Sequence, residues 1–90
     1  MSRHALVTGA GTGIGAAIAK QLHSEGCNVS LIGRRLEPLV ALAEKLGSAC
    51  QAITGDVTDR ESVEKAFTQA NDKFGPVEIL INCAGIAPTA

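Results

Sequence analysis

The chain has 90 residues, of which 46% are hydrophobic and 19% charged, and its formal net charge is −1. This length allows one domain at most, and the composition is typical of a globular protein rather than a disordered one. The near-neutral charge gives no basis for binding nucleic acid or a membrane surface, and no apolar run approaches the roughly 20 residues of a membrane-spanning helix, so we expect neither partner.

Strands and helices alternate from the start of the chain. The apolar pattern predicts a first strand at Ala5–Thr8 and a second at Val29–Ile32. Between them we expect a helix that stops at Gly26 and whose apolar face is formed by Ile14, Ala17, Ile18 and Leu22.

A second helix is predicted with Pro38 near its start and Gly47 just past its end, which is the usual placement of these two residue types. Its apolar face is formed by Leu39, Leu42, Ala43 and Leu46. A third, weaker strand is expected at Cys50–Thr54.

The spacing of Thr58 and Glu61 predicts a capping box at the start of a third helix, which ends at Gly75-Pro76. Its apolar face is formed by Val63, Ala66, Phe67, Ala70 and Phe74. A fourth strand is expected over the segment "VEILIN", residues 77–82. The order βαβαβαβ predicts an α/β fold with a parallel sheet and helices on its faces, because crossover connections are right-handed.

The turn between the first strand and the first helix has glycine at every second position: Gly9, Gly11, Gly13 and Gly15. A helix start offers unpaired N–H groups and the positive end of the helix dipole to an anion. Glycine clears the path to those donors, tolerates positive φ and permits close packing of helix on strand. We therefore predict a phosphate cradle between Thr8 and Ile14, with an unliganded glycine-rich turn as the alternative; no Gly-Lys-Ser/Thr follows, which excludes a P-loop.

Three motifs together carry a family resemblance. The segment Thr8–Gly15 resembles the TGxxxGIG motif of the classical short-chain dehydrogenases/reductases. Asp56-Val57 resembles that family's adenine-contacting aspartate, and Asn82–Gly85 resembles its NNAG motif, with Cys83 in place of the second Asn. The resemblance implies a Rossmann-type parallel sheet of strand order 3-2-1-4, an incomplete doubly wound fold in which residues 1–90 form the amino-terminal part of a single NAD(P)-binding domain.

The second strand ends in Gly33, Arg34 and Arg35, with no acidic residue to bind a ribose 2′-hydroxyl. A guanidinium binds phosphate with two parallel hydrogen bonds. The sequence therefore predicts NADP(H) rather than NAD, with Arg34 as the phosphate ligand and Arg35 stacking on adenine or assisting. Two solvated arginines beside a helix start are the alternative.

Asp56 follows a strand end, where its carboxylate can accept a hydrogen bond from the adenine amino group while Val57 packs on the ring; closing a turn with its own backbone is the alternative. By resemblance, Asn82 ties neighbouring strands and the backbone of Ala84 and Gly85 approaches the nicotinamide ribose, whereas the alternative is an ordinary strand-end Asn. The predicted cofactor-binding residues are Gly9, Gly11, Thr12, Gly13, Ile14, Gly15, Arg34, Arg35, Asp56, Val57, Asn82, Ala84 and Gly85.

The remaining chemistry-bearing side chains are given structural roles. Cys27, Cys50 and Cys83 form no CxxC pair, so we expect reduced, buried thiols in a cytoplasmic protein and no metal site. His4 and His23 have no partner visible in the sequence and are expected at the surface.

The resemblance implies catalysis by a Tyr-x-x-x-Lys pair with a Ser and a further Asn, and the chain contains no tyrosine. No catalytic residue is assigned. The expected function is the NADP(H)-binding portion of a homo-oligomeric oxidoreductase that interconverts an alcohol and a ketone by hydride transfer. The first alternative is a non-catalytic dinucleotide-binding fragment or subunit; the second, a sugar-nucleotide epimerase of the extended relatives, is disfavoured by the glycine spacing.

The fourth strand has an apolar outer edge in the expected order. Val77, Ile79, Leu80 and Ile81 would lie on that unpaired edge, which favours association. We expect the isolated chain to be marginally stable and to self-associate.

Overall fold

The computed structural model describes residues 3–10, 13–56 and 58–83. The elements follow in the order β1 (His4–Thr8), α1 (Gly13–Ser24), β2 (Asn28–Gly33), α2 (Leu36–Leu46), β3 (Cys50–Thr54), α3 (Arg60–Phe74) and β4 (Ile79–Asn82). The strands form one parallel sheet in the order β3-β2-β1-β4. The α/β fold, the strand order and the number of elements expected from the sequence are confirmed.

Helices cover both faces of the sheet, and strand residues alternate between them. On one face, residues of β1 and β2 pack against α1 and α2 around Ala5, Val7, Ala19, Val29, Leu31, Leu39 and Leu42. On the other face, α3 packs against a second cluster formed by Leu6, Ile32, Ile53, Ala66 and Ala70. Because β1 is central, all five of its residues are buried.

Glycines end the helices as the sequence indicates. Gly47 and Gly75 follow α2 and α3 with φ of 96° and 85°, and their N–H groups donate to Ala43 O and Asn71 O at 2.9 and 2.8 Å. Gly26, with φ of 93°, lies two residues beyond α1. Residues other than glycine rarely adopt this left-handed backbone conformation, so glycine at these positions determines where the helices end.

The predicted cap of α3 is wrong by one residue. Asp59, not Thr58, is the N-cap, and its Oδ1 accepts from the N–H of Glu61 at 3.0 Å. The hydroxyl of Thr58 instead donates to Asp56 Oδ1 at 2.6 Å. Because the Thr58 hydroxyl is bonded to Asp56, the adjacent Asp59 caps the helix.

The predicted apolar face of α1 is confirmed at Ile18 and Leu22, which pack against the core, and wrong at Ile14 and Ala17. Gly15 and Ala19 are the buried residues of this helix, whereas Ile14 is 56% exposed and Ala17 is exposed. Gly15 lies innermost because only a glycine fits there, and this rotates Ile14 away from the core.

His4 is buried, with only 1% of its surface exposed, so its expected surface role is wrong. Its Nδ1 lies 2.8 Å from Gly75 O and its Nε2 lies 2.7 Å from Ser30 Oγ, which also accepts from Gln51 Nε2 at 2.8 Å. A carbonyl oxygen only accepts, so Nδ1 carries a proton and donates it to Gly75 O. The network ties β1, β2 and β3 to the end of α3. His23, in the last turn of α1, is half-buried.

All three cysteines are buried free thiols, as expected. Burial raises the pKa of Cys50 to about 11, with the nearby charge of Lys73 acting weakly in the opposite direction. The thiol is therefore protonated at neutral pH and behaves as a small apolar side chain.

Fewer apolar residues are exposed at β4 than the sequence predicts. Val77 precedes the strand because its N–H donates to Asn71 Oδ1 at 3.2 Å, and its side chain packs on the cluster beneath α3. Ile79 and Ile81 pack against the cluster on the opposite face, which leaves Leu80 exposed by 55%. Within the described residues, β4 pairs with β1 alone.

Candidate functional site

The carboxyl ends of the four parallel strands meet at one side of the sheet, called here the carboxyl end of the sheet. Thr8 of β1 lies opposite Asn82 of β4, and Gly33 of β2 lies opposite Thr54 of β3. Asp56 follows β3 by two residues. In open α/β sheets, ligands bind outside this end, so the described members of the predicted set, Asp56 and Asn82 among them, lie where a ligand is expected.

The glycines of the first turn have distinct tasks. Gly9 adopts a positive φ of 66° and starts the turn from β1. A Cβ at Gly15 would lie 2.3 Å from Gly9 O and 2.9 Å from Ala10 Cα, so α1 packs on the turn through bare backbone. A Cβ at Gly13 would meet no atom of the described residues within 4 Å. Gly13 therefore leaves open space at the helix start, which is the space that an approaching phosphate needs.

The start of α1 has the electrostatic character of an anion site. The helix begins at Gly13 and carries no acidic side chain in its first turn. The positive end of its dipole is therefore not offset by a neighbouring carboxylate. Ile14 presents an exposed apolar side chain at the same place. Gly11 and Thr12, which complete the predicted cradle, lie outside the described residues.

Thr8 and Asn82 connect the ends of the neighbouring strands β1 and β4. Thr8 Oγ1 donates to Asn82 Oδ1 at 2.9 Å and lies 3.4 Å from Ile81 O. Cys83 N donates to Thr8 O at 3.2 Å, and the Cys83 thiol is buried in the core under α1 and α2. At this position the side chain packs and adds nothing to a polar network. The predicted Ala84 and Gly85 lie outside the described residues.

The end of β2 presents cations and no carboxylate. Arg34 and Arg35 are both exposed. Arg34 lines a surface depression together with Thr54, Gly55, Asp56 and Ser62. Arg35 is the N-cap residue of α2, with extended backbone, and its side chain makes no capping hydrogen bond. The two predicted arginines thus have different positions, and Arg34 is the one beside Asp56.

Asp56 is held by the residues that follow it. Its Oδ1 accepts from the Thr58 N–H at 2.9 Å and from the Thr58 hydroxyl at 2.6 Å, while its own N–H donates to Ser62 Oγ at 2.8 Å. These two bonds from Thr58, the hydroxyl's first, lower the pKa of Asp56 below its ordinary value, and the charge of Arg34 adds a smaller effect. Asp56 is therefore an anion at neutral pH. The turn-closing alternative is realised at Oδ1, while Oδ2 makes no hydrogen bond within the described part of the chain.

Thr58 and Ser62 support Asp56, although neither is among the site residues predicted from the sequence. The available signal was a hydroxyl residue two positions after an aspartate, which is the spacing of a turn closed by the aspartate side chain. The bond from Asp56 to Ser62 spans the junction between loop and helix, and no local pattern encodes it. Val57 lies outside the described residues.

The described ranges 3–10, 13–56 and 58–83 contain neither a metal-binding cluster nor a membrane-spanning helix. No group of three or more His, Cys, Asp or Glu side chains there could hold a metal ion. No helix in these ranges has the length and hydropathy required to cross a membrane.

Comparison with known proteins agrees with the fold and the motifs. A serine 3-dehydrogenase of Agrobacterium fabrum is 45% identical over 87 residues, which cover 97% of this chain and 35% of that enzyme. The 3-ketoacyl-(acyl-carrier-protein) reductase from Brucella melitensis, complexed with NADH, superposes with a TM-score of 0.84 at 35% identity, over 87% of this chain and 32% of that one. The actinorhodin polyketide ketoreductase with NADPH superposes with a TM-score of 0.85 at 36% identity, over 90% and 32% of the two chains.

The chain thus spans about a third of the length of these relatives. The family model described as short chain dehydrogenase matches residues 3–90, nearly the whole sequence. The glycine turn of β1 and α1, the Thr8–Asn82 link and the strand order agree with that match. The chain belongs to the short-chain dehydrogenase family of oxidoreductases.

Proposed function

We propose that residues 1–90 supply the NADP(H)-binding portion of a short-chain dehydrogenase/reductase that interconverts an alcohol and a ketone by hydride transfer. The observation that carries this proposal is the combination of an open helix start at Gly13 with a cation, Arg34, at the end of the neighbouring strand. The first suits a pyrophosphate, and the second suits a further phosphate on the adenosine ribose.

The pyrophosphate is assigned to the start of α1. The space beside Gly13 admits an anion, and the close packing at Gly15 holds the helix start against the end of β1. Gly9, Gly11, Thr12 and Ile14 are assigned to the same cradle. No carboxylate in the first turn of α1 opposes an anion there.

The ribose 2′-phosphate is assigned to Arg34. Solved relatives hold NADH in one case and NADPH in another, so family membership does not choose between them. The arginine beside Gly33 favours the phosphorylated form, since a charge-assisted hydrogen bond contributes about 1.5–3 kcal/mol, or roughly ten- to a hundredfold in affinity. Arg35 is assigned to stacking on adenine or to assisting Arg34.

The adenine and nicotinamide ends are assigned to the remaining predicted residues. Asp56 accepts from the adenine amino group and Val57 packs on the ring. Asn82, whose Oδ1 accepts from Thr8, is assigned to tying the neighbouring strands, and the backbone of Ala84 and Gly85 is assigned to the nicotinamide ribose. When bound, the cofactor supplies or accepts the hydride.

No catalytic residue is assigned within the 90 residues, which contain no tyrosine for the proton transfer that a carbonyl oxygen requires. This absence favours a second candidate function for the chain by itself, a dinucleotide-binding unit without turnover. A carbonyl-reduction assay of the purified chain tests this candidate: background rates are expected, and clear turnover would overturn it.

The cofactor assignment is tested by fluorescence titration of the chain with NADPH and NADH. We expect tighter binding of NADPH and a reversal of the ratio in Arg34→Asp. Arg3→Asp is the matched control, because Arg3 precedes β1 at the opposite end of the sheet and undergoes the same change of charge. An unchanged ratio in Arg34→Asp would overturn the assignment of the phosphate.

A further inference from the structure

Asp56 is restrained at three points, two on its carboxylate and one on its backbone. Thr58 donates to Oδ1 twice, and Ser62 accepts from the backbone N–H of Asp56. A free aspartate at a loop would exchange rotamers and present either oxygen to a ligand. Here the 2.6 Å bond from the Thr58 hydroxyl occupies Oδ1, and within the described residues Oδ2 keeps its capacity to accept.

An oxygen that can only accept distinguishes bases by the group that faces it. An ionised carboxylate accepts hydrogen bonds and donates none. It binds an exocyclic amino group, and it opposes a carbonyl oxygen in the same place, because neither partner then supplies a proton. The two bases differ in this exocyclic group: adenine carries an amino group on carbon 6 of the purine ring, and hypoxanthine carries a carbonyl oxygen there.

We infer that Thr58 is a positioning residue that holds Asp56 Oδ2 ready to accept from an aminopurine, and thereby makes the site selective for adenine over hypoxanthine dinucleotides. This inference rests on the proposed function, since it takes a dinucleotide to occupy the depression shared by Arg34 and Asp56. Thr58 acts through Asp56 and is assigned no contact with the ligand.

The charges around Asp56 support the same assignment. Arg34 at the end of β2 is the charged group that acts on the Asp56 carboxylate, and α3 presents the uncharged Ser62 to the loop. The hydrogen bonds from Thr58 are the larger cause of the lowered pKa of Asp56. Removal of the hydroxyl therefore raises the pKa of Asp56 toward its ordinary value. Only the carboxylate form of Asp56 accepts from adenine, so dinucleotide binding weakens as Asp56 becomes protonated. Without the Thr58 hydroxyl, this loss of binding occurs at a higher pH than in the parent chain.

The experiment compares NADPH with the reduced nicotinamide hypoxanthine dinucleotide phosphate, using fluorescence titration of the parent chain, Thr58→Val and Thr58→Ser. The parent is expected to prefer NADPH by at least about tenfold, the effect of one hydrogen bond to a charged group. In Thr58→Val this preference falls by about two- to tenfold, which is the entropic effect of releasing one side chain. Thr58→Ser retains a hydroxyl and restores it.

The matched control is Thr68→Val, which removes a hydroxyl that donates to Glu64 O on the exposed side of α3. Thr68→Val is expected to leave unchanged both the preference for NADPH and the pH at which binding is lost in acid, here called the acid limb. Thr58→Val is expected to move the acid limb to higher pH. Circular dichroism verifies that each variant is folded. If Thr58→Val destabilises the chain, Thr58→Ala removes the same hydroxyl and decides in its place: a lowered preference supports the inference, and the parent preference overturns it.

Two failures are distinguishable. If the parent chain binds neither dinucleotide, the proposed function is overturned. If the parent prefers NADPH but Thr58→Val keeps both that preference and the same acid limb, Thr58 has no positioning role, and the proposed function stands.

Discussion

Gly13 and Gly15 are two residues apart in one turn, and the structure predicts opposite consequences for the same substitution. In Gly13→Ala the new methyl group meets no atom within 4 Å in the part of the chain that the structure describes. Alanine is the better helix former by about 1 kcal/mol in a helix interior and by less at a helix start, so this variant should be as stable as the parent or slightly more stable. The methyl group fills the space assigned to the pyrophosphate. We expect a loss of roughly ten- to a hundredfold in NADPH affinity, the effect of one charge-assisted hydrogen bond.

In Gly15→Ala the methyl group would lie 2.3 Å from Gly9 O, whereas real Cβ atoms essentially never come closer than 3.0 Å. The atoms that it meets belong to the backbone, so no flexible side chain can move aside. Overpacking of this kind destabilises by about 1–3 kcal/mol, sometimes more. In a domain of this size each kcal/mol lowers the melting temperature by roughly 4–8 °C.

The assay measures thermal melting by circular dichroism and NADPH affinity by fluorescence on both variants. Gly13→Ala should lose binding and keep the parent Tm, and Gly15→Ala should lose Tm. Parent-like NADPH binding by a folded Gly13→Ala variant would refute the assignment of the pyrophosphate, and an unchanged Tm in Gly15→Ala would refute the close approach of α1 to the turn.

Three further predictions concern the scaffold. Ser30→Ala removes the hydrogen-bond partner shared by His4 and Gln51, so we expect chemical denaturation to show a free energy of unfolding lower by about 1–3 kcal/mol. The exposed control Ser48→Ala should lose almost nothing, and equal denaturation midpoints for the two variants would show that the buried network contributes nothing. Because the pKa of Cys50 is raised to about 11, roughly one molecule in a thousand carries the Cys50 thiolate at pH 8, and iodoacetamide should label this thiol only after addition of denaturant; rapid native labelling of Cys50 would contradict its burial. Leu80→Lys, at the exposed position of β4, should reduce self-association in sedimentation velocity, while a parent chain that sediments as a monodisperse monomer would exclude association through this edge.

The sequence predicted the order of elements because each element is locally consistent. The apolar spacing and the glycines at Gly47 and Gly75 fix helix type and length within a few neighbouring residues. The positions of the strand ends then follow from topology, which is why Thr8, Arg34 and Asp56 could be assigned to one end of the sheet before any contact was known.

The errors occurred where a specific contact, rather than the local spacing of residue types, decides the structure. His4 was expected at the surface because its partners, Ser30 and Gly75, are 26 and 71 positions away. Thr58 was taken as a cap because the competing bond to Asp56 depends on a side-chain geometry that spacing alone does not specify. The rotation of α1 was missed because it is set by contact between backbones, at Gly15, and not by hydrophobicity.

The central claim is that a nicotinamide dinucleotide binds at the carboxyl end of the sheet. Titration of the ¹⁵N-labelled chain with NADP⁺, followed by ¹H–¹⁵N NMR, tests it most directly. The amide signals of Gly13, Arg34 and Asp56 should move with a common affinity, and those of Arg3 and Asn28, at the amino ends of the strands, should stay in place. Signals that move at the amino ends, or no movement at millimolar NADP⁺, would contradict the account.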